Sequence, residues 1–237
     1  IQQALDEDRF VLYAQDIVPV DPNACQGTHC ELLVRMLDEN NELVPPMSFI
    51  PAAERYGLMP SIDRWVLRNA LATLARLAQD PQGRTLALCS VNLSGATIGD
   101  EAFRDYVRTQ LEDFPLSAKM ICFEITETAA IANLDRAMRF IEEMKALGCR
   151  FSLDDFGSGM SSFGYLKHLA VDFIKIDGGF VKDMVDNPID RAMVAAINNV
   201  GHVMGKQTIA EFVGSEGVML ALRELGVDFA QGYWVGK

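Results

Sequence analysis

The sequence predicts a TIM-like (β/α)8 barrel, modified so that the first strand runs antiparallel to its neighbour. Three observations carry this expectation. Eight apolar strand-like runs alternate with helical patterns along 237 residues, close to the ~250 residues such a barrel usually occupies. No Pro/Gly/Ser-rich linker or low-complexity tract divides the chain, so one domain spanning 1–237 is expected rather than two small ones. The first two runs are separated by only "PVDPNACQGT", too short for the helical crossover that a parallel pair requires.

In order, strands are expected over 9–18, 29–37, 86–94, 120–127, 150–156, 172–178, 207–212 and 229–235, where apolar residues alternate or run continuously. Helical periodicity marks 61–78, 100–113, 135–147, 161–168, 188–204 and 215–225, with a shorter helix near 49–56. The clearest of these is "NPIDRAMVAAINNVGHVMG", with Pro188 in its first turn and Gly205 just past its end. Asp135 and Ser215 are the expected N-caps of their helices.

Composition excludes several function classes. The net charge of −12 argues against a DNA or RNA polymer, or an anionic membrane surface, as partner, because both select for basic patches. An anionic substrate would then need metal ions to attract it. There is no run of 18 apolar residues and no signal-peptide pattern. Five cysteines, at 25, 30, 89, 122 and 149, are an odd number without zinc-ligand spacing; they read as reduced packing residues of a cytoplasmic protein. Of the three histidines, none sits in a plausible triad with Ser or Cys. The first residue is Ile1, so a fragment of a longer multidomain protein is expected.

Polar residues on the strands carry the functional signal. Alternation puts Ser90, Asn92 and Ser94 on one face, and likewise Cys122, Glu124 and Thr126, Ser152 and Asp154, and Lys175 and Asp177. The intervening apolar residues suit contacts with outer helices, which leaves the polar set facing the barrel axis. Asn92, Glu124, Asp154, Asp155, Lys175, Glu211 and Gln231 fall in or near the C-terminal halves of six successive expected strands. Barrel enzymes place their chemistry at that end. Any one such residue is more often structural; seven at one rim are not.

Several carboxylates facing one cavity with a single lysine cannot persist as bare anions, because each buried unpaired ion costs several kcal/mol. Divalent cations resolve the conflict. Carboxylates with an Asn carbonyl suit Mg²⁺ or Mn²⁺ rather than zinc, and the adjacent Asp154–Asp155 pair could hold two ions, the arrangement used in phosphoryl hydrolysis. The "DFG" at 155–157 lacks the companion motifs of a kinase, and "GSGMSSFG" is not a dinucleotide fingerprint. A Mg²⁺-dependent lyase with Lys175 as base is a rival on the same residues.

The ordered set "ELLVR" (31–35), "VNLS" (91–94), "FEITE" (123–127), "DDFGSG" (154–159), "FIKID" (173–177), "AEFV" (210–213) and "QGY" (231–233) resembles the EAL-domain cyclic di-GMP phosphodiesterases over nearly the whole chain. The resemblance implies a barrel with an antiparallel first strand. It implies that Glu31, Asn92, Glu124 and Asp154 bind one Mg²⁺ or Mn²⁺, and that Asp154, Asp155 and Glu211 surround a second. Lys175 would position or deprotonate the attacking water, and Glu127 would anchor the glycine loop. Arg35 would contact a phosphate, with Gln15, Leu33 and Gln231 also lining the substrate cleft. The implied reaction is hydrolysis of cyclic di-GMP to linear 5′-pGpG in bacterial signalling; the implied alternative is a non-catalytic cyclic di-GMP receptor. A homodimer and a fused GGDEF or sensor domain are also implied. The sequence departs from the family pattern at Asp16, Leu32, Met160 and Gly214.

Overall fold

A computed structural model describes residues 1–24, 27–79, 86–114, 118–159 and 163–236. Element order is α1 (Gln2–Asp6), β1 (Phe10–Pro19), β2 (Thr28–Leu37), β3 (Leu43–Val44), α2 (Pro46–Arg55), α3 (Met59–Ala78), β4 (Leu86–Asn92), α4 (Gly95–Ile98) and α5 (Glu101–Asp113). Then follow β5 (Ile121–Thr126), α6 (Glu127–Ala132), α7 (Leu134–Ala146), β6 (Arg150–Phe156), β7 (Phe173–Ile176), α8 (Gly178–Val181), α9 (Pro188–Val203), β8 (Gln207–Ala210), α10 (Glu216–Leu225) and β9 (Phe229–Gln231).

Eight strands close into a barrel in the order β1-β2-β4-β5-β6-β7-β8-β9, with β1 completing the circle between β2 and β9. β1 is antiparallel to both neighbours, and the other contacts around the ring are parallel. The short first connection has that consequence, as the sequence implied. β3 adds a two-residue hairpin onto β2, outside the ring.

Two apolar layers hold the barrel. Inside it, Ile17, Leu88, Cys122, Phe173, Ile209 and Phe229 form a cluster of their own. Outside, the alternate strand residues meet the helices: Phe123, Phe140 and Phe151 pack with ring centroids 5.6–6.5 Å apart. Each such buried ring contributes about 1.5–3 kcal/mol. In α3, Ile62, Val66, Leu67, Ala70, Leu71 and Leu74 form the buried stripe, as its periodicity required.

Five expectations need correction. Ser94, Thr126 and Asp177 are helix N-caps rather than interior strand residues. The strands end before or at these positions, and each side chain accepts a hydrogen bond from the backbone N–H two or three residues on, capping α4, α6 and α8. Short polar residues at a strand-to-helix junction mimic strand alternation while serving orphaned helix donors. Asp135 lies in the first turn of α7, whose N-cap is Asn133, an acceptor for the Arg136 N–H; the short α6 moves the start of α7 forward. Over 163–167 the expected α-helix is a 3-10 helix, while 161 and 162, like Met160 and Cys25, lie outside the described residues. Ser215 and Pro188 are placed as expected.

Candidate active site

Parallel strands deliver their C-terminal ends to one mouth, and there the inward side chains change from apolar to charged. Lys175 on β7 stands at the centre, 1 % exposed. Its Nζ lies 3.1 Å from Glu31, 2.9 Å from Glu124, 3.1 Å from Asp154 and 2.9 Å from Glu211. Four carboxylates from β2, β5, β6 and the end of β8 thus converge on one ammonium.

Asp155 joins them through a local irregularity. Strict alternation would send the neighbours Asp154 and Asp155 to opposite faces. Between Leu153 and Phe156, however, β6 gains one residue on β7, whose partners advance only from Ile174 to Ile176. Asp155 has φ +54°, a left-handed conformation that Asp tolerates better than most residues. Carboxylate oxygens of Asp154, Asp155 and Glu211 consequently lie within 4.8 Å of one another. The following Gly157 has φ +97°, and a Cβ there would sit 3.0 Å from Phe180 and 3.1 Å from Ile197. Only glycine fits that turn.

Amides orient the cage. Glu31 accepts from Asn92 Nδ2 at 2.6 Å and from Gln231 Nε2 at 2.6 Å, and Gln231 also donates to Gln15 Oε1 at 2.9 Å. Gln231 is buried, and it holds Glu31 in place through its hydrogen bond to that carboxylate. Glu127, at the start of α6, is also buried. Its two oxygens accept from the Gly157 N–H at 3.0 Å and the Tyr165 hydroxyl at 2.5 Å. Glu127 therefore positions the loop after β6 and is not part of the lysine-centred cluster.

Electrostatics follow from burial. Burial raises Glu124 to about 8, with Lys175 opposing and Glu31 and Asp154 assisting. Burial likewise raises Glu211 to about 7. Glu31 is also raised by burial, but Lys175 and the Gln231 and Asn92 donors outweigh it and its net shift is downward. Glu31 and Glu124 share Lys175 and still shift oppositely, because only Glu31 has amide donors. Burial and then Asp154 raise Asp155. Lys175 is desolvated, yet the four carboxylates push it well above its ordinary value. The group titrates as one unit.

One buried carboxylate oxygen at the cage, Glu124 Oε1, has no hydrogen-bond partner, and Asp154 Oδ1 meets only the Lys175 ammonium, at 3.1 Å. An unsatisfied hard oxygen donor in an acidic cluster fits a divalent Mg²⁺- or Mn²⁺-type ion. Beside the cage runs a cleft of about 600 Å³, lined by Leu33, Arg35, Ile50, Met59, Val66 and Asn92 among others. The Arg35 guanidinium donates to the Val34 carbonyl at 2.9 Å. Sequence reasoning missed Asp63, a cleft residue on α3 that is 3 % exposed. Burial raises its pKa, and it accepts from Ser94 and Thr97. An acid within the apolar stripe of a helix was its available signal.

A family model described as "EAL domain" matches residues 1–237. The chain is 40% identical to the cyclic di-GMP phosphodiesterase PdeB of Shewanella oneidensis and 35% identical to PdeF of Escherichia coli, over all of this chain and 27% and 31% of those proteins. It therefore spans less than a third of these relatives' length. The fold matches a Pseudomonas aeruginosa EAL domain, that of FimX, solved bound to c-di-GMP, with TM-score 0.89, 31% identity and coverage of 98% of this chain and 92% of that one. A structure described as the PaMucR phosphodiesterase in complex with c-di-GMP matches with TM-score 0.90 and 31% identity, covering 100% of this chain and 94% of that one. The chain belongs to the EAL domain family.

Proposed function

We propose that this chain hydrolyses cyclic di-GMP to linear 5′-pGpG, using two Mg²⁺ or Mn²⁺ ions. The observation that carries the reading is the convergence of Glu31, Glu124, Asp154 and Glu211 on Lys175, with Asp155 brought alongside, in a chain whose relatives are named for that activity. Glu31, Asn92, Glu124 and Asp154 would hold one ion, and Asp154, Asp155 and Glu211 the other. Bound there, the ions supply Lewis-acid stabilisation of phosphoryl oxygens and acidify water for in-line attack.

The chain's own groups do the rest. Lys175 supplies fixed positive charge and a donor at the centre of the cage. Glu211 would accept the proton of the attacking water. Arg35, at the junction of cage and cleft, neutralises a phosphate, and Leu33 lines the apolar wall beside it. Glu127 holds the Gly157 turn so that Asp154 and Asp155 keep their geometry. No helix among the described residues is long and apolar enough to cross a membrane; we place the domain in the cytoplasm, as a homodimer fused to a GGDEF or sensor domain. Chromatography of cyclic di-GMP incubated with the protein and Mg²⁺ tests the reading. Appearance of linear 5′-pGpG supports it, whereas tight binding with the ligand left intact would assign a receptor instead.

A further inference from the structure

The inner face of β1 bears a residue that the reaction above leaves unused. Ile17 belongs to the apolar cluster inside the barrel, and Gln15 accepts from Gln231 within the cage. With a period of two, Tyr13 is the next side chain on that face. Because β1 is antiparallel, its N-terminal half lies at the mouth: Gln15 pairs with Glu31, Tyr13 with Leu33 and Val11 with Arg35. Two residues of extended chain put Tyr13 about 7 Å beyond Gln15, toward solvent. Its side chain is left 47 % exposed, and the Arg35 guanidinium carbon lies 5.7 Å from the ring centroid.

A lone exposed aromatic on a strand is ordinary. The inner-face position and the arginine partner set this one apart. The cleft lined by Leu33 and Arg35 does not include Tyr13 among its walls, so Tyr13 and the cleft are separate surfaces that meet at Arg35. A cyclic dinucleotide carries two bases around one phosphodiester ring, so a base seated in the cleft leaves a second one for another surface.

We propose that Tyr13 is a specificity-determining residue, its ring stacking on the second nucleobase of the substrate while Arg35 holds the adjoining phosphate. This rests on a cyclic dinucleotide being the substrate. Base–aromatic stacking typically amounts to a factor of about 10 or more when the ring is removed, and it tolerates exchange among aromatic rings.

Steady-state kinetics and equilibrium binding of cyclic di-GMP, the latter in chelator, test this on Tyr13→Ala and Tyr13→Phe. We expect Tyr13→Ala to raise KM and Kd about 10-fold, with kcat within about twofold of the parent. Tyr13→Phe should restore both constants. The loss of kcat/KM should be at least about fivefold larger for cyclic di-GMP than for methyl 4-nitrophenyl phosphate, which has no purine. Unchanged KM and Kd in Tyr13→Ala would overturn the proposal. Equal losses on the two substrates would overturn it as well, assigning the ring to holding Arg35 instead. Failure of the parent to turn over cyclic di-GMP, with binding still weakened in Tyr13→Ala, would refute the phosphodiesterase reading and leave the stacking role standing.

Discussion

Replacing Lys175 by Met removes the one cation of the cage while keeping most of its volume. Four carboxylates then face each other without a counter-charge, the nearest having been 2.9–3.1 Å from Nζ. Two like charges about 5 Å apart at an effective dielectric of about 20 repel by about 3 kcal/mol, matching the lower end of the cost of breaking a buried pair. Proton uptake limits that cost at low pH, since Glu124 and Glu211 already titrate at about 8 and 7. Acids whose folded pKa is raised lend stability below the folded value and lose it as pH rises through it. The deficit of Lys175→Met should therefore grow from pH 6 to pH 8.5. In chelator at pH 8.5, thermal unfolding should fall by roughly 6–12 °C for about 3 kcal/mol in a chain of this size. Millimolar Mn²⁺ should recover more of Tm in the variant than in the parent, because it replaces the missing positive charge. A variant as stable as the parent in chelator at pH 8.5, or one that Mn²⁺ does not rescue, would refute this electrostatic reasoning.

Other expectations follow from the same geometry. Asp154→Asn and Glu31→Gln should each lower kcat at least about 100-fold in a cyclic di-GMP assay, the scale of losing one preorganised electrostatic group. Glu127→Gln replaces two charge-assisted hydrogen bonds, each typically ~1.5–3 kcal/mol, so kcat should fall about 10-fold or more while the Mn²⁺ binding stoichiometry is kept. Burial, with Lys175 and Arg150, lowers His29 to about 4 from an ordinary 6.5. The unfolded chain therefore binds that proton first, and stability falls as pH drops from about 6.5 to 4. The loss is about 3 kcal/mol, and chemical denaturation should find it shallower in His29→Gln. Finally, Asn133→Ala should cost about 1 kcal/mol as a lost helix cap, and Asp135→Ala less than about 0.5, measured by urea unfolding.

The barrel was legible because its signals are local. Strand runs, helix periodicity and a ten-residue connection between the first two expected strands each constrain the chain independently, and their agreement leaves few topologies. Lys175, Glu124 and Asp154 could be placed on the inner face because side-chain alternation is a property of the backbone. Asp155 was recognisable by type but not by direction, since nothing in "SLDDFG" announces the extra residue that turns it inward. Ser94, Thr126 and Asp177 were misplaced for the converse reason: capping and alternation give the same pattern over two residues. Asp63 was hidden inside the helical periodicity of 61–78, and the support Gln231 gives Glu31 depends on a partner 200 residues away; the hold of Glu127 on Gly157, 30 residues on, was implied only by the family resemblance. Tyr13 became visible only once the register of β1 on β2 was known.

The count of Mn²⁺ bound per chain, by equilibrium dialysis followed by elemental analysis, bears most directly on the idea that this cage exists to hold divalent ions. Two ions per chain are expected for the parent at saturation, and fewer for Asp154→Asn, whose carboxylate is shared between the two positions. No binding at millimolar Mn²⁺, or equal stoichiometry in the parent and Asp154→Asn, would contradict it.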